Sequence, residues 1–99
     1  MIIEYEFKLY PIGYDAKHDE EYYETETFEY ELTFDDMFNV ARQMVMTDTG
    51  LSPENATKVV QNILWECDLL EQYLETDVDY VKEKLKTKVT NIFWSLQEN

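Results

Sequence analysis

Residues 20–36, EEYYETETFEYELTFDD, contain eight carboxylates and no lysine or arginine. If this stretch forms a β-strand, residues two apart lie on the same side, separated by roughly 6.6 Å, which is twice the strand rise. Its glutamates then form short rows of negative charge that approximate the phosphates along a nucleic-acid strand in sign and repeat. Such rows accept paired hydrogen bonds from arginine side chains. The pattern therefore predicts recognition of a basic surface.

The candidate partner-binding residues are the acids and tyrosines of the predicted strand. They are Glu20, Glu21, Tyr22, Tyr23, Glu24, Glu26, Glu29 and Glu31. Tyr22 and Tyr23 are included because tyrosine is enriched in protein interfaces. Glu4 and Glu6 form a similar row near the start of the chain.

Nucleophilic catalysis requires a nucleophile with a general base within reach, and the candidates here are few. Cys67 belongs to an apolar stripe, which favours a small buried residue over a reactive thiolate. His18 lies in a polar segment among acids, where we expect a solvated side chain. Ser52 and Ser95 have no motif around them that supplies a base. We therefore expect no enzymatic activity.

Metal and cofactor sites are also not predicted. Zinc needs more nitrogen and sulfur ligands than one histidine and one cysteine provide. The acids in YDAKHDEE surround Lys17 and match no calcium-loop pattern, so we expect at most weak screening of cations there. Gly13 and Gly50 are the only glycines, too few for a phosphate-binding loop.

The net charge of −14 limits the choice of partner. It argues against direct binding to nucleic acid or to anionic membranes, because proteins bind both through lysine and arginine. The expected partner is a basic protein, such as a nucleic-acid-binding effector. The alternative is that the acids only keep the protein in solution.

The expected location is the cytoplasm. The start of the chain, MIIEYEFKLY, has acids where a signal peptide has basic residues. No run approaches the roughly 20 apolar residues that cross a bilayer. One cysteine permits no internal disulfide, which fits a reducing compartment.

Two strands are predicted at the start of the chain. In residues 2–10 apolar and charged side chains alternate, which is typical of a half-buried strand. Residues 11–20 include Pro11 and Gly13 and predict a turn or a long hairpin loop. A second strand should then end near residue 32, completing an antiparallel β-hairpin.

The alternation in the second strand raises a conflict. Phe28 and Tyr30 define its apolar side, and the same side continued backwards reaches Glu26 and Glu24. Burying these carboxylates without partners costs several kcal/mol. We therefore expect either a bulge near residue 26 or a ribbon end that lies in water.

Helix signals follow the hairpin. Thr33 with Asp36 predicts a capping box, and Gly50 predicts a helix end with positive φ. Ser52 and Pro53 predict the cap and first residue of a second helix. This helix is predicted to contain one apolar stripe, Ala56, Val60, Ile63, Cys67, Leu70 and Leu74.

A third helix is predicted after Thr76 or Asp77, either of which can cap it. Its apolar stripe is Val78, Val81, Leu85, Val89, Ile92 and Leu96. The predicted fold is α+β, a ββααα single domain over residues 1–99. Residues 1–32 form the acidic β-hairpin, and residues 33–99 form three α-helices that cover one of its faces.

The predicted third helix includes a basic cluster. KEKLKTK, residues 82–88, has four lysines against Glu83, a net charge of +3. We expect these lysines to solvate the helix and offset neighbouring acids. The alternative is a small basic patch that contacts an acidic partner.

In general character the chain is similar to small acidic proteins that mimic DNA, including phage-encoded inhibitors of restriction or of CRISPR effectors. The resemblance is based on composition and on EEYYETETFEYE, about a third of the chain together with its flanks, and matches no family motif. It implies competitive inhibition, in which Glu20, Glu21, Glu24, Glu26, Glu29 and Glu31 occupy a basic channel and exclude nucleic acid. Host and phage origin both remain open.

A second hypothesis assigns the interaction to the helices. Trp65, Tyr73, Phe93 and Trp94 widen the apolar stripes or lie off them. If some of these rings stay exposed, the protein is a small structural or adaptor domain that associates through apolar surface, with homo-oligomers among the possibilities. Otherwise they belong to a wide core.

Overall fold

Two strands precede the helices in the computed structural model, which describes residues 1–63 and 67–98. The elements are β1 Ile2–Asp15, β2 Glu20–Glu31, α1 Phe34–Thr49, α2 Pro53–Ile63, α3 Cys67–Glu75 and α4 Val78–Gln97. The α+β class and the antiparallel hairpin are confirmed. The described residues form four helices, so the predicted count of three is wrong.

The chain divides into two compact units. Ile2–Glu31 forms one unit, which we call the ribbon. Met1 and the chain from Leu32 onward form the other, the helical unit.

The ribbon is longer than the sequence predicted. Strand pairing continues to Asp15 opposite Glu20, so the connection is a turn of residues 16–19 instead of a loop over 11–20. Pro11 did not end the strand, although it lacks an N–H. In a two-stranded sheet half of the N–H groups point away from the partner, and a proline is tolerated at such a position. Pro11 pairs with Tyr23.

The conflict in alternation is resolved by exposure to solvent. Register shifts occur between Lys8 and Tyr10 and between Pro11 and Gly13, so β1 has the extra residues and β2 keeps an unbroken alternation, without the bulge near residue 26 that was one of the two expectations. The other expectation, a ribbon end that lies in water, agrees with the structure. Glu24 and Glu26 stay on the side of Phe28, and both are exposed.

The termini of α1 have the predicted caps. The Asp36 N–H donates to Thr33 Oγ1 and the Thr33 N–H donates to Asp36 Oδ2, both at 3.1 Å, which completes the capping box. At the other end Gly50 has φ 74° and donates its N–H to the Met46 carbonyl at 2.9 Å. Positive φ explains the glycine, because a Cβ is strained in that conformation.

The predicted second helix corresponds to two elements, α2 and α3. Ser52 caps α2 as expected, accepting a hydrogen bond from the Asn55 N–H at 3.3 Å. Residues 64–66, which the prediction placed within one helix, lie outside the described residues, as do the side chains of Ile63 and Cys67.

The core of the helical unit comes from all four helices. Its most deeply buried side chains are Ala41, Ala56, Val60, Leu70, Leu74, Val81, Val89 and Phe93. On α4, Val78 and Leu96 are exposed, so the predicted stripe is correct in its middle, and Phe93 takes the buried position near its end. Asp77 caps α4, accepting from the Tyr80 N–H at 3.2 Å.

One buried carboxylate links α1 to α4. Asp36 is 7% exposed, and its Oδ1 accepts from Lys88 Nζ at 2.6 Å while Oδ2 caps α1. Lys88 belongs to the basic cluster that was expected to solvate its helix and offset neighbouring acids. It also fixes the position of α4 against the first turn of α1.

Candidate functional site

The candidate residues lie on two different faces of the ribbon. Successive side chains of a strand point to opposite sides, and β2 has no bulge that changes this alternation. Glu20, Tyr22, Glu24 and Glu26 share a face with Phe28 and Tyr30. Glu21, Tyr23, Glu29 and Glu31 share the other. No single flat partner surface can therefore contact all eight residues at once.

Four glutamates meet on one face near the open end of the hairpin. Glu4 is directly opposite Glu29, and Glu6 and Glu31 are their same-face neighbours. All four are exposed. Directly opposed Cβ atoms are about 4.5–5.5 Å apart and diagonal ones about 7–8 Å. We call Glu4, Glu6, Glu29 and Glu31 the acidic face.

The acidic face concentrates like charge against the usual rule for strand pairs. Opposite charges on facing residues stabilise a sheet, whereas like charges destabilise it. Neither Glu4 nor Glu29 forms an ion pair among the described residues. Lys8 is the cation of β1 on this side, and its Nζ lies 4.9 Å from the centroid of the Tyr23 ring.

Glu4 and Glu6 were not among the candidate residues. Their alternation was visible in the sequence, but their pairing with Glu29 depends on the length of the turn and on the bulges. The sequence contains one signal for this pairing, the alternation of apolar residues along both strands. If Ile3 is set opposite Tyr30, as observed, Glu4 falls opposite Glu29.

On the other face, acids alternate with rings. Glu26 lies opposite Phe7 and Glu24 opposite Tyr10, while Glu20 lies opposite Asp15. The three glutamates are exposed, whereas Phe7 is half-buried. This arrangement mixes charge with apolar surface along the strand.

The half of the ribbon nearest the turn has exposed large side chains. Tyr10, Ile12, Tyr14 and Tyr22 each have at least half of their surface in contact with solvent. Tyrosine supplies apolar area and a hydroxyl at low entropic cost, which suits protein contacts. Of these residues, the sequence argument had selected Tyr22.

The turn itself is held by carboxylate hydrogen bonds. Asp15 accepts from the Lys17 N–H at 3.0 Å, and its Oδ2 lies 2.6 Å from His18 Nδ1. The hydrogen bond with His18 lowers the pKa of Asp15 below its ordinary value, and the Lys17 N–H acts in the same direction. Asp19 has φ 52°, a conformation that aspartate tolerates better than most residues, and accepts from the Tyr14 hydroxyl.

Tyr23 is positioned by two neighbours. Its hydroxyl donates to Glu21 Oε2 at 2.6 Å, and this bond raises the pKa of Tyr23. Lys8 lies over its ring. Tyr23 is thus half-buried and engaged, whereas Tyr22 is more exposed and makes only a long hydroxyl contact of 3.4 Å to Asp15.

Two of the residues considered for catalysis have structural roles. His18 bonds to Asp15, and Ser52 caps α2. The side chain of Cys67 lies outside the described residues. Within the described part of the chain, no three histidine, cysteine or acidic side chains are grouped so as to hold a metal ion.

The aromatic rings of the second hypothesis differ in burial where they are described. Phe93 is buried, and its ring lies 5.0 Å from that of Trp94, centroid to centroid. Trp94 is 39% exposed. Tyr73 is half-buried and donates to Asp48 Oδ2 at 3.2 Å, and burial raises its pKa to about 12. Trp65 lies outside the described residues.

None of the helices, over the residues that are described, is long and apolar enough to cross a membrane. Comparison with family models, with curated proteins and with solved structures found no match. The function is therefore argued from the site itself.

Proposed function

We propose that the protein is a noncatalytic binding protein whose acidic ribbon occupies a basic, nucleic-acid-binding surface of another protein and excludes the nucleic acid. The observation that carries this proposal is the acidic face, where Glu4 opposes Glu29 and neither forms an ion pair among the described residues. A solubilising surface needs charge but gains nothing from like charges placed opposite each other. A phosphate mimic needs that density.

The chemistry of the acidic face suits an arginine-lined or lysine-lined channel. Carboxylates accept bidentate hydrogen bonds from guanidinium groups in the way phosphates do. The ribbon has ten acids and two lysines, a net charge of −8 over residues 1–31. A field of this sign steers a basic partner and gives fast, salt-sensitive association.

The exposed rings near the turn supply the second part of the proposal. Tyr10, Tyr14 and Tyr22 stand among Glu20, Glu21 and Glu24 and add apolar contact area to an otherwise electrostatic interface. Charge alone gives rate and salt dependence, whereas buried rings give most of the affinity of typical interfaces. The proposed location is the cytoplasm, since the single cysteine fits a reducing compartment.

The test is capture of a partner by the immobilised protein, followed by displacement with duplex DNA. Extract is applied at about 50 mM and about 500 mM salt, because electrostatic capture falls steeply over that range. The proposal expects capture at low salt of a protein that binds DNA, and release of that protein when duplex DNA is added. A captured partner that binds duplex DNA and the ribbon simultaneously refutes mimicry.

Matched variants separate local geometry from total charge. The acidic-face variant changes Glu4, Glu6, Glu29 and Glu31 to glutamine. The control changes four exposed acids of the helical unit to glutamine, namely Glu54, Glu75, Glu83 and Glu98. Both remove four charges. We expect at least a tenfold loss of affinity in the first variant and less than threefold in the second, because a charge-assisted hydrogen bond contributes about 1.5–3 kcal/mol.

The exposure of Trp94 favours one alternative, association through the helical unit. A tryptophan that is 39% exposed, near Leu96 at 57%, offers apolar surface at the end of α4. On this view the acids serve only to keep the protein in solution. Self-association is tested by sedimentation over a hundredfold range of concentration. If it occurs through this surface, the apparent mass of the wild type rises with concentration, and a Trp94→Gln variant abolishes that rise. A wild-type monomer at every concentration refutes self-association.

A further inference from the structure

Arg42 is the single arginine in a chain with 22 carboxylates. None of the ion pairs among the described residues involves it. Its Nε atom is buried and makes no hydrogen bond. Buried polar groups in proteins are nearly always paired, so an orphaned guanidinium N–H needs an explanation.

A groove of about 430 Å³ lies beside this arginine. Arg42 and Met46 line it from α1, Pro53 from the start of α2, and Tyr80 and Lys84 from α4. The volume falls within the range of small-molecule sites. All of these residues belong to the helical unit.

The two long helices, α1 and α4, each line the groove with one cationic and one apolar side chain. Arg42 with Met46 and Tyr80 with Lys84 are each four residues apart, so each pair lies on one face of its helix. Lys84 Nζ lies 5.3 Å from the centroid of the Tyr80 ring. The groove therefore has two cations and an apolar wall.

Among the described residues no carboxylate lines this groove, although acids outnumber basic residues almost threefold in the chain. The adjoining cavity of about 240 Å³ shows the contrast, because Asp48 and Asp77 line it. Both of these acids already accept hydrogen bonds, Asp48 from the Tyr73 hydroxyl and Asp77 from the Tyr80 N–H. The positive charge in the larger groove is thus not neutralised from within.

We propose that this groove binds a small organic oxyanion, a phosphate or carboxylate group on an apolar body. The Arg42 guanidinium holds the oxyanion, since its planar fork matches two oxygen atoms of either group. Lys84 adds a second positive charge. Met46, Pro53 and the Tyr80 ring contact the apolar body. This site is separate from the proposed function of the ribbon, which requires a basic macromolecule.

The single arginine makes the direct test simple. Its Nε–H gives one resonance in a ¹H–¹⁵N spectrum, and that resonance reports on Arg42 alone. The protein is titrated to about 10 mM with phenyl phosphate, with benzoate, with inorganic phosphate and with phenol, a range that covers millimolar dissociation constants. We expect saturable shifts of this resonance with phenyl phosphate or benzoate, and none with phenol.

Variants assign the shifts to the groove. Arg42→Gln should weaken binding at least tenfold, because it removes the charge-assisted donors, and Lys84→Gln should weaken it severalfold. Lys58→Gln, an exposed change of equal charge on α2, should leave binding unchanged. Lys84 is exposed, so its variant keeps the test valid if Arg42→Gln fails to fold. Because Arg42→Gln removes the arginine resonance itself, binding to the Arg42→Gln variant is followed by backbone amide shifts around Thr47.

Three results overturn the proposal. One is the absence of a saturable shift with either organic anion, and another is equal weakening by Lys58→Gln and Lys84→Gln. The third is inorganic phosphate binding as tightly as phenyl phosphate, which removes the role of the apolar wall. Selective binding of phenyl phosphate over benzoate identifies the phosphate as the group recognised, and the reverse identifies the carboxylate; each supports the site.

Discussion

Neutralising the acidic face should stabilise the ribbon, because Glu4 and Glu29 oppose each other. Two carboxylates about 6 Å apart repel by about 0.7 kcal/mol in water, which screening at 0.1 M salt reduces to about 0.4 kcal/mol. Each of the two diagonal pairs, at about 7.5 Å, adds about 0.3 kcal/mol. Pairs within one strand are omitted because they stay about as close in the unfolded chain. Changing all four glutamates to glutamine therefore raises the free energy of unfolding by about 1 kcal/mol at 0.1 M salt.

Salt supplies an internal check on this value. At 1 M salt the Debye length falls to about 3 Å, and the same pairs then repel by about 0.2 kcal/mol in total. Amide hydrogen exchange measures the effect where it arises, at the ladder amides of residues 2–8 and 25–31. A gain of about 1 kcal/mol is about a fivefold increase in protection. This increase should almost vanish at 1 M salt.

The matched control is the helical-unit variant with Glu54, Glu75, Glu83 and Glu98 changed to glutamine. It alters net charge equally but leaves the cross-strand pairs intact, so ribbon protection should change by less than twofold. The reasoning is refuted if the acidic-face variant gains no protection at 0.1 M salt. It is also refuted if the gain persists undiminished at 1 M salt.

Three further predictions concern single residues. His18→Ala removes the hydrogen bond that lowers the pKa of Asp15, so an NMR titration should find that pKa raised toward its ordinary value. Because the pKa is lowered in the folded chain, this bond stabilises the turn above the ordinary aspartate pKa, and the contribution is lost as pH falls through the lowered value. Lys88→Met leaves Asp36 buried without its cation. It should lower the free energy of unfolding, measured with urea, by about 1–2 kcal/mol, a value between those for exposed and for fully buried ion pairs. Gly50→Ala should cost about 1 kcal/mol, because φ is 74° although no atom crowds a new Cβ.

Two of these predictions have a control on the same chain. Lys86→Met changes an exposed neighbour in the basic cluster and should cost less than about 0.5 kcal/mol. Gly13→Ala places a Cβ at an ordinary 3.9 Å from Tyr22 and should be neutral or mildly stabilising. Equal costs at Lys86 and Lys88, or at the two glycines, contradict the structural explanations. An unchanged Asp15 pKa in His18→Ala contradicts the first prediction.

The caps of the helices could be predicted from sequence because their chemistry is local. Thr33 and Asp36 bond each other's backbone within four residues, and Gly50 ends the same helix through its own φ. Ser52 and Asp77 act within three residues as well. No knowledge of tertiary structure is needed for any of these contacts.

Strand pairing could not be predicted in the same way. The register depends on a four-residue turn and two bulges on β1, none of which has a strong local signal. The division of the candidate residues between two faces was available from the alternation of β2. The approach of Glu4 to Glu29 does not follow from that alternation alone, because it also depends on which residues pair across strands 25 positions apart. The hydrogen-bonding state of Arg42 likewise depends on packing among helices and has no signature in sequence.

The long strand β2 has a consequence for variants that lose its negative charge. A two-stranded sheet has two edges that can template another chain, and the edge of β1 is interrupted by Pro11 and by the extra residues Leu9 and Ile12. The edge of β2 has no proline and no bulge over Glu20–Glu31, so charge is its protection against strand addition. In a variant with these glutamates changed to glutamine, the alternating threonines and rings of this strand are a template for edge-to-edge aggregation. The same carboxylates proposed to attract a basic partner therefore also keep copies of the ribbon apart.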